Sequence, residues 1–294
     1  MINLHLHTIC SDGVLEPEEL LRKLELNNIN VASITDHDSV DAYIRLRQLT
    51  INDIYTGLLI PGVEMKCTHN AYSIEILGYF IDIASLKPYL DNKNKKIMEF
   101  QKHSFQLGKK VCDKLKLKYD DTELKPKEFA GTAIFNLLNK YYDYNVELLG
   151  KGIIENGSDF YRKTFADPNS LFFVPEEGLV PNAKETIDKI HEVGGIAILA
   201  HLGQYKMIDD KISFLNDLYR NTDIDGIECY YSMHTEEETN NYIDFCKRNN
   251  LLISGGSDYH GTKSQNKILQ ENIDINNFSW INEIKKGTPF IKRR

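Results

Sequence analysis

The sequence predicts an α/β fold, close to a closed βα barrel, that carries an inserted, mainly helical subdomain. Two observations predict it. Short apolar runs end abruptly in His, Asp or Glu, and segments with helical spacing of Leu and Ile lie between them. The runs cover residues 2–7, 31–35, 57–63, 72–80, 195–200, 224–230 and 251–254, and seven strands nearly complete a barrel.

Between the first two runs, Pro17 at a first helical turn, followed by Leu20, Leu21 and Leu24, marks an amphipathic crossover helix with acidic residues near its start. Ser39 to Leu49, Ala183 to Val193, Asp209 to Tyr219 and Thr235 to Asn249 repeat the pattern, each between two candidate strands. Such crossovers predict parallel pairing. From residue 84 to 182 the rhythm breaks into a Lys-, Tyr- and Asn-rich stretch with a long helical run around Asn92 to Leu117. The domain expectation is therefore a discontinuous barrel of residues 1–83 and 183–294 with 84–182 inserted.

With 294 residues, 41% hydrophobic and 27% charged, the chain can bury a sizeable core. A net charge of -8 argues against a nucleic-acid coat protein, and no extended nucleic-acid surface is expected; the Lys-rich helix reads as a solvated face. Five scattered cysteines without a CxxC pair fit a reducing, cytoplasmic setting. His5 and His7 interrupt the N-terminal apolar stretch, so it does not read as a secretory leader, and no run is long enough to span a membrane.

His5 and His7, two apart on a strand, point to one face, and the turn after Thr8 presents Asp12. The second strand delivers Asp36, His37 and Asp38 after its last apolar position, and the third delivers Glu64. Late in the chain, GGIAILAH ends in His201 and LLISGGSDYH in Asp258 and His260. Independent strands that repeatedly end in His, Asp or Glu are what a multinuclear metal site at a barrel mouth requires. Imidazole suits Zn, Fe or Mn, and carboxylates bridge ions, so the mixture favours a transition-metal cluster over Ca or Mg. A closed structural zinc site would be four-coordinate and Cys-rich, which leaves a noncatalytic metal- or phosphate-binding module as the reading from another class. Asp36, beside His37, is expected to orient an imidazole. His69 and His191 have no supporting pattern.

The segments HLHT with SDG, ITDHD, GVE, ILGYFID, GGIAILAH, IECYY with a following His, and GSDYHG resemble the polymerase and histidinol phosphatase (PHP) superfamily, over residues 1–83 and 184–262 and in the same order. The resemblance implies a distorted seven-stranded barrel, two or three divalent metal ions, and phosphoester hydrolysis by a metal-bridging hydroxide. Carried onto this chain, the ligands would be His5, His7, Asp12, His37, Glu64, His201, Asp258 and His260, with His234 of YYSMH a substrate or leaving-group contact. The SDGVLEPEEL and YYSMH segments look more like the nucleotide-phosphatase branch than the histidinol branch. A nucleotide-type small phosphate (a nucleoside monophosphate or 3',5'-bisphosphate) or an oligonucleotide end is the expected substrate, with histidinol phosphate the alternative.

Two positions depart from the family pattern. Where relatives carry a His two residues before the LG of the ILGY segment, this chain has Glu75, a harder ligand expected to shift preference towards Mn or Fe over Zn. Asp12, Glu64, Glu75 and Asp258 then bring four negative charges, so three divalent ions leave the site near +2, which suits a phosphate dianion. In the insert, the place of a GRPH-like segment is taken by Gly131, Thr132, Ala133 and Ile134, which lack the Arg and His that would hold substrate phosphate.

Overall fold

In the computed structural model the described residues are 1–285, except 71, 126–127, 168, 176–177, 263–266 and 269–272. The last nine residues assigned above to the barrel, 286–294, lie outside them. Contacts divide the chain into two compact units, Met1–Asp91 with Val180–Arg294, and Asn92–Leu179.

The first unit holds seven strands that neighbour one another in sequence order: β1 (Ile2–Asn3), β2 (Val31–Ile34), β3 (Leu58–His69), β4 (Tyr72–Tyr79), β5 (Ile196–Leu199), β6 (Gly226–Tyr231) and β7 (Leu252–Gly256). Leu4 N–H donates to Gly255 O at 3.1 Å and His7 N–H to Tyr259 O at 2.9 Å, which joins the last strand to the first. That closure explains the second glycine of LISGG. A Cβ on Gly256 would collide with the backbone and Cβ of His5, so only glycine lets the two segments approach.

Pairing is not parallel throughout, although the crossovers predict it. β3–β4 and β4–β5 are antiparallel, while the other pairs are parallel. The cause is a tight hairpin: β3 runs to His69, turns at Asn70 (φ 48°), and pairs back from His69↔Tyr72 to Gly62↔Tyr79. Glu64 therefore lies inside a strand opposite Leu77, not at a strand end. No crossover helix separates these two strands, and a short turn permits only antiparallel pairing.

The crossover helices form where their caps and apolar stripes predict: α1 (Pro17–Leu26) with Pro at its first turn, and α2 (Asp41–Leu46). The long α3 (Ile83–Lys114) begins in the first unit and continues into the second, which also contains α4 (Ala130–Asn139), α5 (Tyr142–Leu149), α6 (Lys151–Ile154) and α7 (Gly157–Lys163). Back in the first unit come α8 (Ala183–Glu192), α9 (Lys211–Asn221), α10 (Glu236–Asn249) and α11 (Trp280–Lys285). Asn182 and Thr235 close capping boxes with Glu185 and Glu238 at the starts of α8 and α10. α1, α2, α8, α9 and α10 bury Leu, Ile and Phe side chains in the same core as the strands. A separate core in the second unit gathers Phe105, Ile134, Leu138, Ile154 and Phe160. Gly131, Ala133 and Ile134 are buried in α4, so the stretch in place of GRPH is helix interior.

Candidate metal centre

Three overlapping groups of side chains converge at the ends of β1, β2, β5 and β7 and the middle of the β3–β4 hairpin. His5, His7, Glu64 and Asp258 form the first, His7, Asp12, His37 and His260 the second, and His37, Glu64 and Glu75 the third. In each group one donor atom per residue lies within 4.8 Å of the others. His7 belongs to the first two, Glu64 to the first and third, and His37 to the second and third, so these three join the set. His201 sits against the third group, with Nε2 at 2.9 Å from Glu64 Oε1 and 3.4 Å from Glu75 Oε2. All nine ligand-type residues expected from the sequence are thus brought together.

Backbone geometry aims two of them. His201 and Asp258 have φ of 21° and 53°, in the left-handed region that non-glycine residues rarely occupy. Such strain costs of order 1–3 kcal/mol per residue and persists where surrounding contacts dictate it. For His201 one such contact is its N–H, which donates to Glu228 Oε2 at 2.8 Å.

Burial makes the set chemically unusual. His5, His7 and Glu64 are fully buried, and their Nε2, Nε2 and Oε2 atoms have no hydrogen-bond partner, like Nδ1 of His201. Leaving one buried polar atom unsatisfied costs about 1–3 kcal/mol. Here several meet at one point, with His5 Nε2 and His7 Nε2 at 3.2 and 3.3 Å from Glu64 Oε2. A divalent cation is the kind of partner that would satisfy the His5, His7 and Glu64 lone pairs at once, and the donor set fits it.

Without an ion, protons do part of that work. Burial opposes charge on His7, but Asp258 and Glu64 outweigh it and raise the imidazole to about 9; His5 and His201 are also raised. The opposing carboxylates of Glu64 and Asp258 are held well down by these imidazoles despite their burial, and Asp12 is lowered to about 2 with His260 and His37 beside it. Glu75 differs. Burial and the charge of Glu64 raise its carboxyl above the ordinary value.

The sign for stability follows. An imidazole raised from 6.5 to about 9 stabilises the metal-free fold fully below pH 6.5, and that contribution is lost as pH rises through about 9. Metal ligation needs the neutral imidazole, so loading releases protons and strengthens over the same interval. Metal-stripped protein is therefore expected to melt at progressively lower temperature from pH 6.5 to 9, with added Mn reversing the trend. Parallel melting curves with and without metal across this range would contradict the proton–metal competition.

Several supporting roles were not visible in the sequence. Glu228, fully buried on β6, accepts from His5 Nδ1 at 3.0 Å as well as from His201 N–H. The only signal was a single acid inside the apolar run GIECYY. Asp36, expected to orient an imidazole, takes no direct hydrogen bond from one among the described residues and reaches His7 only through Ser11, whose Oγ lies 3.5 Å from His7 Nδ1. Its carboxylate accepts from Thr8 N–H (2.7 Å), Thr8 Oγ1 (2.7 Å) and Ser11 Oγ (2.6 Å), which ties down the loop that presents Asp12. His234 spends both ring nitrogens on backbone: Nδ1–H donates to Cys229 O and Nε2 accepts from Gly203 N–H, both at 3.0 Å. It holds the turn after His201. His69 and His191 pair with Asp217 and Asp225 at 2.7 Å, outside the three groups.

A near-closed barrel whose mouth gathers buried His and carboxylate donors in three overlapping groups is an arrangement suited to metal-dependent hydrolysis. No protein-family model matches the chain. Among curated proteins it is 26% identical over 265 residues to a 5'-3' exoribonuclease of Haemophilus influenzae, covering 88% of this chain and 89% of that one. It is also 24% identical over 272 residues to a 3',5'-nucleoside bisphosphate phosphatase of Chromobacterium violaceum, covering 88% and 87%. In fold it is similar to the crystal structure of a candidate metal-dependent phosphoesterase from Bifidobacterium adolescentis, with a TM-score of 0.63, 21% identity, and 95% and 94% of the two chains covered. In sequence and fold the chain is thus similar to phosphoesterases, in keeping with the resemblance its motifs carry.

Proposed function

We propose that the chain hydrolyses phosphate monoesters of nucleotide type, either a nucleoside monophosphate or 3',5'-bisphosphate or the end of a short oligonucleotide. The convergence of orphaned, buried nitrogen and carboxylate atoms on one point carries this reading. The names of the two relatives support the substrate class.

In this reading two or three divalent ions are held: one by His5, His7, Glu64 and Asp258, one by His7, Asp12, His37 and His260, and one by His37, Glu64 and Glu75 with His201 adjacent. Bound there, such ions supply hydroxide at neutral pH and neutralise charge on the phosphate. Glu228 fixes the tautomer and orientation of His5. Asp12, the most exposed of the set with 57% of its side chain accessible, stands at the rim and is positioned by the Thr8–Ser11 loop that Asp36 pins. His234 acts at one remove, through the Gly203 turn. Five free cysteines, four of them buried, support a reducing cytoplasm as the setting.

Protein reconstituted with Mn is expected to release phosphate from nucleoside monophosphates or bisphosphates in a screen that also holds diesters, short RNA and histidinol phosphate. Tight phosphate binding without turnover for any metal, or a preference for histidinol phosphate, would overturn the assignment.

Glu75 gives the third position two carboxylates where relatives have a His, which favours Mn or Fe over Zn. Metal analysis of protein purified from the same medium is expected to show Glu75→His enriched in Zn relative to wild type. Identical metal profiles would remove Glu75 from the ligand set.

A further inference from the structure

The chain's negative charge conceals a positive stretch in the later part of α3 and the residues just after it. Residues 92–118 hold nine lysines against two acids, Glu99 and Asp113, a net of +7 in a chain whose total is -8. Composition alone reads this as a solvated face. Placement on α3 says more. At about 100° per residue, Lys95, Lys102 and Lys110 share one side of the helix, flanked by Lys96 and Lys114, and Glu99 and Asp113 lie on the same side, which leaves the face cationic on balance. All five are exposed, whereas Ser104, Phe105, Gly108 and Cys112 on the other side are buried.

A solvated face in an acid-rich protein ordinarily carries i,i+4 pairs, and this chain makes them elsewhere, as at Lys87–Asp91 and Lys184–Asp188. Among the described residues none of the five lysines has an ion-pair partner, although Glu99 and Asp113 lie within a turn of them. At roughly 1.5 Å per residue, Lys95 to Lys114 spans about 28 Å, room for several backbone phosphates. Beyond the stripe, Lys110 also lines a cavity of about 590 Å³ with Lys118 and Tyr119.

We propose that this face of α3 binds the phosphate backbone of single-stranded RNA. Five cations without ion-pair partners among the described residues, outnumbering the two acids Glu99 and Asp113 on the same face, complement a flexible polyanion, whereas a mononucleotide would engage only one or two of them. The inference deepens the proposed function by giving its nucleotide substrates an oligonucleotide form. A binding track on the same chain raises the concentration of strand ends near the phosphoesterase.

The test uses metal-loaded protein and a 3'-fluorescein RNA of about 15 nucleotides with a hydrolysis-resistant phosphorothioate backbone, followed by anisotropy across a salt series. Affinity is expected to fall steeply with salt. Lys95→Gln, Lys102→Gln and Lys110→Gln combined should weaken binding about tenfold near 0.1 M salt and flatten the log–log slope by about 2, at roughly 0.7 for each phosphate no longer neutralised. Turnover of p-nitrophenyl phosphate and the melting temperature should not change, since these side chains are exposed and outside the metal centre. Wild-type binding without salt dependence, unchanged binding by the triple variant, or stronger association with phosphatidylserine vesicles than with RNA would each overturn the track. RNA binding without nucleotide hydrolysis would instead remove the substrate assignment and leave the track standing.

Discussion

Replacing His7 with alanine is expected to abolish phosphatase activity and to remove more than one metal ion per chain. His7 is shared by two of the three donor groups, so its loss weakens both positions at once. It also uncovers Glu64 and Asp258, two buried carboxylates that His7 Nε2 approaches at 3.3 and 3.1 Å. Metal ions supply several kcal/mol of transition-state stabilisation, and at about 1.36 kcal/mol per tenfold that is a loss of about 10³-fold or more in kcat/KM. His69→Ala is the control, since His69 pairs with Asp217 away from the cluster. Metal analysis and steady-state kinetics read the outcome. A His7→Ala protein with wild-type metal content and turnover would exclude the cluster as the active centre.

The second large effect is expected at a residue that belongs to none of the groups. Glu228→Gln keeps the size of the side chain but replaces one acceptor oxygen with a donor amide. One carboxylate now receives both His5 Nδ1–H and the His201 backbone N–H, and the amide cannot accept both as well. Outer partners of ligating histidines are typically worth 10- to 100-fold in metal affinity or activity. Glu228→Gln should therefore lower metal affinity by that factor, with activity recovering as metal is raised. Excess metal should not rescue His7→Ala, and that contrast separates a positioning residue from a ligand. An unchanged metal-binding isotherm would reduce Glu228 to a packing role.

Much of this centre was legible in the sequence for a simple reason. A polynuclear site needs many donors, and the barrel delivers them just after apolar strands, so His5, His7, His37, His201, Asp258 and His260 stand out as polar residues at the ends of apolar runs. Glu64 was found for a partly mistaken reason, because its strand continues to His69 and the residue is internal. The hairpin that places Glu75 opposite Lys66 was missed as an antiparallel element, since the sequence between the two strands has no Gly or Pro to announce a two-residue turn. Glu228 and the loop-pinning role of Asp36 escaped because an outer contact depends on which strands are neighbours. Two acids near histidines in sequence carry no mark of which imidazole or amide they meet.

By itself the sequence determined the periodicities, hence the strands and helices of an α/β barrel, and the chemical kinds of donor that those strands carry. Both are local properties, fixed by residue type and spacing. Only the tertiary structure decided which donors come within reach of one another, that β3 and β4 fold back on each other, that His234 is spent on backbone, and that Lys95, Lys96, Lys102, Lys110 and Lys114 lie exposed with no ion-pair partner among the described residues. Those outcomes depend on closure of the sheet and on the rotation of each helix against its core, where residues far apart in the chain come within a few ångströms.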